Sequence, residues 1–400
     1  MNSFYPKPKK KSILGPPGPD VGAVCKGDVM SSSFEQAYQA GLKKVEYLKE
    51  HLDGFPHITK DAKWLTNQNG HWTGGFWTGL LWLDSLEKDR PELRRDAKEW
   101  AMRLKCRMGD STTHDQGFIF GPSCVFGYRI TGDEAFLPLI HAGADNLIRQ
   151  YVPQAGLIQA WAESGYAGIS IVDTIMNLPV LWISGELADD PTRKELSLRV
   201  ARNIQTHAVR TDFSSYHVVK WDEHYHISGD THQGYSAQSC WSRGQAWALY
   251  GFANMYRYTG EREFLETALK LGEYFWSHLN QNHLPAWDFV FQDAPAVPTD
   301  ASAASIAASG MGLIARLLEQ DGDAAGAACW RERADILLEA ETRECLYETM
   351  EDYGLIRNAV VDLPHGSGIN ESAMYGDYYY MEGLYRRLNQ RDGRKTSLLY

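Results

Sequence analysis

Two aspartates stand out for what surrounds them. Asp173 lies in Ile171-Val172-Asp173-Thr174-Ile175-Met176-Asn177, a single acid among apolar neighbours. Asp115 sits in His114-Asp115-Gln116-Gly117-Phe118, just ahead of an apolar stretch. Cutting a glycosidic link commonly takes two carboxyl groups held in different protonation states. Ile171, Val172, Ile175 and Met176 would desolvate Asp173 and raise its pKa, and a nearby Asp115 carboxylate would push the same way. A carboxyl that stays protonated near neutral pH can donate a proton. The plainer alternatives are a helix N-cap for Asp173 and a loop turn for Asp115.

The densest polar stretch, residues 228–247, contains His232, Gln233, Arg243 and Trp247. Arg243 and Trp247 are four residues apart and share one face of a helix starting there. An Arg at a helix N-terminus can hold a carboxylate through its fork and the free N–H groups. An ion pair with a neighbouring acid is the competing use. Asp222, His224, His226 and His232 raise the question of a metal, since His-x-His on a strand points both rings to one side. Their spacing matches no zinc signature and leaves a third ligand unassigned, so solvated or hydrogen-bonded histidines are expected, with no metal and no cofactor. Gly74-Gly75 and Gly366-Ser-Gly368 match no phosphate loop, and no Gly-x-Ser-x-Gly elbow occurs.

These residues need a frame, and the pattern supplies a helical one. Residues 34–52 place Ala37, Ala40, Leu42, Val45 and Leu48 at helical spacing among Lys and Glu. Alternating β-branched runs are scarce; residues 216–221, which include His217, are the best strand, in a hairpin with residues near 225–227. Tyr128-Arg-Ile-Thr-Gly-Asp-Glu-Ala-Phe-Leu and Tyr256-Arg-Tyr-Thr-Gly-Glu-Arg-Glu-Phe-Leu form a loose repeat, ending one helix at Thr-Gly and starting the next with acids. Weaker versions begin at Glu87, Ala188 and Gln320. Such turns recurring every roughly 40–70 residues predict helical hairpins closed into a ring, with an open solenoid as the alternative. The longer connections, residues 70–78, 111–123, 159–173, 228–245 and 362–377, would then gather at one end, at the N-termini of the inner helices. Residues 1–33, rich in Pro, Gly, Lys and Ser, read as an arm, and residues 34–400 as a single catalytic domain.

Composition narrows the partners. The chain has 400 residues with 44% hydrophobic content and a net charge of −11. No Lys/Arg stripe exists to neutralise phosphates, which argues against nucleic acid. No run of about 18 apolar residues suggests a membrane span, and the first residues lack the apolar region of a secretory signal, so the expectation is a cytoplasmic monomer or weak homo-oligomer. The six cysteines are scattered without a Cys-x-x-Cys pair and read as reduced, mostly buried thiols. The 13 Trp and 21 Tyr are the informative excess, because some lie beside Gly, His and Asp, where rings could stack on sugar faces.

Six segments fall in a telling order: Trp72-Thr-Gly-Gly-Phe-Trp77-Thr-Gly, His114-Asp115-Gln-Gly-Phe, Asp173-Thr-Ile-Met-Asn177, His232-Gln233-Gly-Tyr, Trp241-Ser-Arg243-Gly-Gln-Ala-Trp247 and Tyr375-Gly-Asp-Tyr-Tyr-Tyr. Together they resemble the unsaturated glucuronyl hydrolases, glycoside hydrolase family 88, across residues 64–386. The resemblance implies an all-α (α/α)6 barrel. It also implies an unusual reaction: hydration of the C4=C5 vinyl ether of a terminal 4,5-unsaturated uronate, releasing the sugar behind it. By that resemblance Asp173 is the general acid/base and Asp115 the second essential carboxylate. His114, His217, His232, Gln233, Arg243 and Trp247 would line the uronate subsite. Trp161 would stack on the sugar, together with Trp72 or Trp77. Residues 362–371 carry no Lys or Arg, which implies a preference for unsulfated glycosaminoglycan fragments. Related rhamnogalacturonyl hydrolases acting on pectin fragments, and a non-catalytic carbohydrate-binding toroid, are the alternatives.

Overall fold

The computed structural model describes residues 26–87, 90–162, 165–292, 294, 296–347 and 349–400, without the side chains of residues 26–32. The helices come in two kinds. One-faced helices bury a stripe and leave the rest in water: α1 (Lys26–His51), α3 (Pro91–Arg103), α6 (Leu137–Gln150), α8 (Pro191–Ala208), α10 (Arg262–Ser277) and α12 (Ala324–Glu344). In α1 the buried stripe is Phe34, Ala37, Tyr38, Leu42, Val45 and Leu48, at three- and four-residue steps.

The second kind is buried almost all round. It comprises α2 (Gly74–Glu87), α7 (Thr174–Leu187), α9 (Ser242–Thr259), α11 (Ala301–Gln320), α13 (Met374–Leu388) and a composite helix. That composite runs from α4 (Gln116–Phe120) through a π-turn at Gly121–Val125 into α5 (Phe126–Thr131). These inner helices touch in the order α2, α4, α7, α9, α11, α13, and α13 returns to α2, so the ring closes. Each is backed by an outer helix: α3 on α2, α6 on α4, α8 on α7, α10 on α9, α12 on α11 and α1 on α13. The architecture is the (α/α)6 barrel implied by the resemblance. Helix α11 is long and apolar enough to cross a membrane, but 89% of its apolar window is buried, as an inner-ring position demands. A short helix, α14 (Gly393–Ser397), ends the chain.

Two of the tight turns at one end of the ring explain the sequence repeat. At Thr131-Gly132 and Thr259-Gly260 the glycines adopt φ of 66° and 72°. Their N–H groups donate to Tyr128 O at 2.7 Å and Tyr256 O at 2.8 Å. Only glycine takes that left-handed cap cheaply, and it closes the inner helix so the chain can turn at once into the outer one. The threonine hydroxyls add a second tie, accepting from Asp133 N and Glu261 N. The version beginning at Glu87 includes residues 88 and 89, which lie outside the described residues.

The opposite end holds the long connections, each leading from an outer helix to the N-terminus of the next inner one. They carry the strands: β1 (Phe55–Lys60) with β2 (Lys63–Asn67), β3 (Tyr151–Val152) with β4 (Leu157–Ile158), and β8 (Ala359–Asp362) with β9 (Ser367–Glu371). A three-stranded sheet pairs β5 (Ile169–Ile171), β6 (Val218–Trp221) and β7 (Ile227–Asp230), all antiparallel. The expected hairpin is therefore real: its first strand starts two residues later, at Val218, and ends as expected at Trp221, and its second lies two to three residues further on, at Ile227–Asp230. Helix α1 starts at Lys26, inside the segment expected to be an arm, so the boundary at residue 33 falls within a helix; residues 1–25 lie outside the described residues. Of the described cysteines, Cys124, Cys240 and Cys345 are buried and Cys106 and Cys329 exposed, all as free thiols.

Candidate active site

Asp115 and Asp173 occupy equivalent places: each is the N-cap position of an inner helix, α4 and α7 respectively. Neither carboxylate caps its helix, so the side chains are free for other work. The two helix starts are clamped together. His114 Nδ1 lies 2.8 Å from Thr174 Oγ1, and Phe118 N donates to Asn177 Oδ1 at 2.9 Å. Gly117 lets the backbones approach, since a Cβ there would sit 2.5 Å from Asn177 Cα. The result places both acids on the wall of one cleft of about 470 Å³ at the open end of the ring, a size suited to a small ligand.

Their environments differ as the sequence suggested. Burial pushes Asp173 up to about 7, the Asp115 carboxylate adds to the rise, and the Arg243 guanidinium opposes it. Asp173 Oδ1 has no hydrogen-bond partner among the described residues, which leaves the charged form without a second stabiliser there. Asp115 instead accepts from the Thr113 hydroxyl through Oδ2. Its Oδ1 lies 3.4 Å from His114 Nε2, close but without hydrogen-bond alignment. His114 is fully buried, and desolvation depresses its pKa, which favours the neutral ring.

The rim is a lattice of loop backbone. Thr113 bridges to Trp161, His114 N donates to Ala160 O at 2.9 Å, and Ala160 N donates to Ile169 O at 2.7 Å. This ties the loop before α4 to the β5–β6–β7 sheet. Trp161, Tyr166 and His232 form an aromatic cluster on that side, the rings of Trp161 and His232 5.4 Å apart. Trp72 faces the cleft from the loop before α2 and stacks on Tyr375 at 5.1 Å. Gln233 lines the wall and is oriented by donating to Val361 O at 2.7 Å.

Six predicted residues thus meet the cleft beside the two acids or among its aromatic walls: Asp115, Asp173, His114, Trp161, His232 and Gln233, with Trp72 as a seventh. Four do not line it. Trp77 is completely buried, its ring edge-on to Trp100 at 5.7 Å between α2 and α3, so of the two tryptophans it is Trp72 that lines the cleft. Trp247 packs on Phe118 at 4.8 Å in the barrel core. His217 sits behind the wall, where Nδ1 accepts from His232 N and Gln233 N at 3.1 Å each; it positions that loop. Arg243 is 2% exposed, and its guanidinium is consumed by Asp300 Oδ2 at 2.6 Å and by the carbonyls of Val360 and Val361. The competing use, an internal ion pair, is the one realised; Arg243 ties β8 to the helix starts and reaches Asp173 only through its field.

Asp222 spends one oxygen on the N–H groups of His224 and His226 and the other on the His226 ring at 3.1 Å. That exposed turn excludes His232, so the four residues make no common site. Sequence reasoning missed Arg107, Asp110, Tyr166 and Asp362, which also line the cleft. Arg107 is the one Lys or Arg among the described lining residues, and it is paired with Asp110 at 2.6 Å.

Glycosyl Hydrolase Family 88 matches residues 46–281, a span that contains both aspartates, the aromatic rim and Arg243. The chain belongs to this family. It is a glycosidase by that membership and by its relatives. It is 33% identical to the unsaturated glucuronyl hydrolase of Bacillus sp. (strain GL1), over 85% of this chain and 92% of that one. It is 30% identical to the unsaturated chondroitin disaccharide hydrolase of Streptococcus agalactiae serotype III (strain NEM316), over 88% and 90% respectively. Among solved structures, an unsaturated glucuronyl hydrolase specific for heparin superposes with a TM-score of 0.84 at 26% identity, covering 90% of this chain and 98% of its own.

Proposed function

We propose that this family 88 glycosidase removes 4,5-unsaturated glucuronate from the non-reducing end of lyase-generated glycosaminoglycan oligosaccharides. In this reading Asp173 delivers its proton to C4 of the vinyl ether and then takes one from the water that adds at C5. The resulting hemiketal opens to a C5 ketone, and the hemiacetal left at C1 releases the sugar behind it. Two carboxyl groups and a water suffice for every step, so the reaction as written calls for no metal or organic cofactor. Asp115, held by Thr113, meets the ring hydroxyls and keeps Asp173 protonated. Trp161 and Trp72 offer faces to the flat unsaturated ring, and His232 and Gln233 offer neutral polar groups.

The observation that carries the reading is the buried Asp173, facing the cleft with an oxygen that has no partner among the described residues and a pKa raised to about 7. Proton transfer to carbon is slow, and an acid matched to the working pH is what such a step needs. The relatives act, by their names, on unsaturated chondroitin disaccharides and heparin, which supports a glycosaminoglycan substrate.

The sulfation preference is read from the segment that begins at Asp362 on the cleft wall. Residues 362–371 contain no Lys or Arg, and Arg107, the one Lys or Arg among the described lining residues, is already paired with Asp110. Unsulfated disaccharides are therefore the expected substrates, and equal turnover of a 6-sulfated and an unsulfated chondroitin disaccharide would count against this. The test is the ultraviolet absorbance of the conjugated uronate during incubation with unsaturated chondroitin, hyaluronan, heparin and rhamnogalacturonan disaccharides. Loss of absorbance with a glycosaminoglycan substrate is expected. Loss with the pectin fragment alone would move the activity to the rhamnogalacturonyl group.

A further inference from the structure

The mouth of the cleft carries a second polar cluster, set apart from the two aspartates. His232 comes from the loop between β7 and α9, Asp362 from the end of β8, and His365 from the turn between β8 and β9. One donor atom from each lies within 4.8 Å of the other two. His365 Nδ1 is 2.8 Å from Asp362 Oδ1, and His232 Nε2 is 3.9 Å from Asp362 Oδ2. The two imidazoles stack at 4.6 Å with 28° between their planes.

We propose that His232, Asp362 and His365 bind a divalent transition-metal ion of the zinc class at the mouth of the cleft. Two imidazole nitrogens and a carboxylate are the donor set such ions prefer over the oxygen-only ligation of Mg²⁺ or Ca²⁺. Metal–ligand bonds of about 2.0–2.2 Å put tetrahedral ligand atoms roughly 3.3–3.5 Å apart. The observed separations bracket that spacing, and His365 is exposed enough to adjust its ring. The supporting backbone is already fixed: His232 N donates to His217 Nδ1 and His365 N to Asp362 Oδ1, while Asp362 is paired with Ser367 across the hairpin. Three protein ligands leave a coordination position for water.

His232 and Asp362 also line the cleft that holds Asp115 and Asp173. A bound ion competes with the sugar for that wall and acts as an inhibitor. This consequence rests on the function proposed above; the binding does not.

Isothermal titration of the full chain with ZnCl2 alone tests the site. One saturable event per chain is expected, weakened at least tenfold in His365→Ala, since even an outer-sphere partner is worth about 10–100-fold in affinity. Titration with Co²⁺ guards against the exposed thiols of Cys106 and Cys329: the spectrum should lack a thiolate-to-cobalt charge-transfer band. Absence of saturable binding, unchanged affinity in His365→Ala, or a thiolate band would each overturn the site. In turnover assays Zn²⁺ should raise KM without lowering kcat, and in His365→Ala the rise in KM with Zn²⁺, compared with the same variant free of metal, should be lost. Binding that depends on His365 but leaves KM unmoved would overturn the inhibitory role alone.

Discussion

Replacing Asp173 by Asn should abolish turnover and, at neutral pH, make the protein more stable. The carboxyl is held at about 7 in the fold against 3.8 as its ordinary value, chiefly by burial. At pH 7 the unfolded chain ionises Asp173 freely while the folded chain holds about half of it protonated. At roughly 1.4 kcal/mol per unit, that difference of about 3 units costs the fold about 4 kcal/mol. Asp173 is 8% exposed, so water in the cleft relieves part of the cost and the figure is an upper limit. Its folded pKa is raised, so the penalty is absent below the unfolded value, grows between about pH 4 and 7, and levels off above. Asp173→Asn cannot ionise and escapes it. Denaturant midpoints of parent and variant, measured from pH 4 to pH 8, should diverge by about 2–4 kcal/mol at the neutral end. Asp377 is the control, for burial also lifts it to about 7 but both its oxygens accept backbone N–H groups, from Leu355 and Ile356. Asp377→Asn gives up one of those bonds and should gain far less. A variant at Asp173 no more stable than its parent at pH 7, or a gap that does not shrink towards pH 4, would refute the assigned environment.

Three further outcomes follow from the same geometry. The rate should fall above about pH 7 as Asp173 loses its proton; in Asp115→Asn that limb should move to lower pH, because the carboxylate that helps raise Asp173 is gone, as a pH profile of kcat will show. Arg243→Met strands the fully buried Asp300, so it should cost about 3–5 kcal/mol in unfolding free energy, read from denaturant melts, instead of merely raising KM. Trp77→Ala should destabilise by about 3–5 kcal/mol with KM unchanged, whereas Trp72→Ala should raise KM, a contrast that steady-state kinetics on soluble protein will reveal.

The frame was legible where local rules decide it. Thr131-Gly132 and Thr259-Gly260 announce their turns because a left-handed cap needs glycine whatever the rest of the chain does. The segment around Asp173 announces its own desolvation because four apolar neighbours surround it in the chain. What needed tertiary pairing was hidden. Arg243 meets Asp300 from a loop 57 residues away and takes two carbonyls from β8, none of which the motif around Arg243 records. Trp72 and Trp77 stand in one motif, but α2 begins at Gly74, so one stays on the loop facing the cleft while the other turns towards α3. Arg107, Asp110 and Tyr166 carry no local signal and reach the wall only because the loops before α4 and α7 bridge to each other. The start of α1 at Lys26 was hidden for a simpler reason: residues 26–33 are polar and serine-rich, and the apolar stripe of the helix begins only at Phe34.

Protonation at C4 with hydration at C5, instead of direct cleavage of the glycosidic bond, would leave its mark on the released uronate. The most direct measurement is to run the reaction in D2O with an unsaturated chondroitin disaccharide and follow the released uronate by NMR. One deuteron at C4, a ketone at C5 and loss of the conjugated absorbance are expected, all missing in Asp173→Asn. Release of a uronate whose double bond is intact would contradict that chemistry.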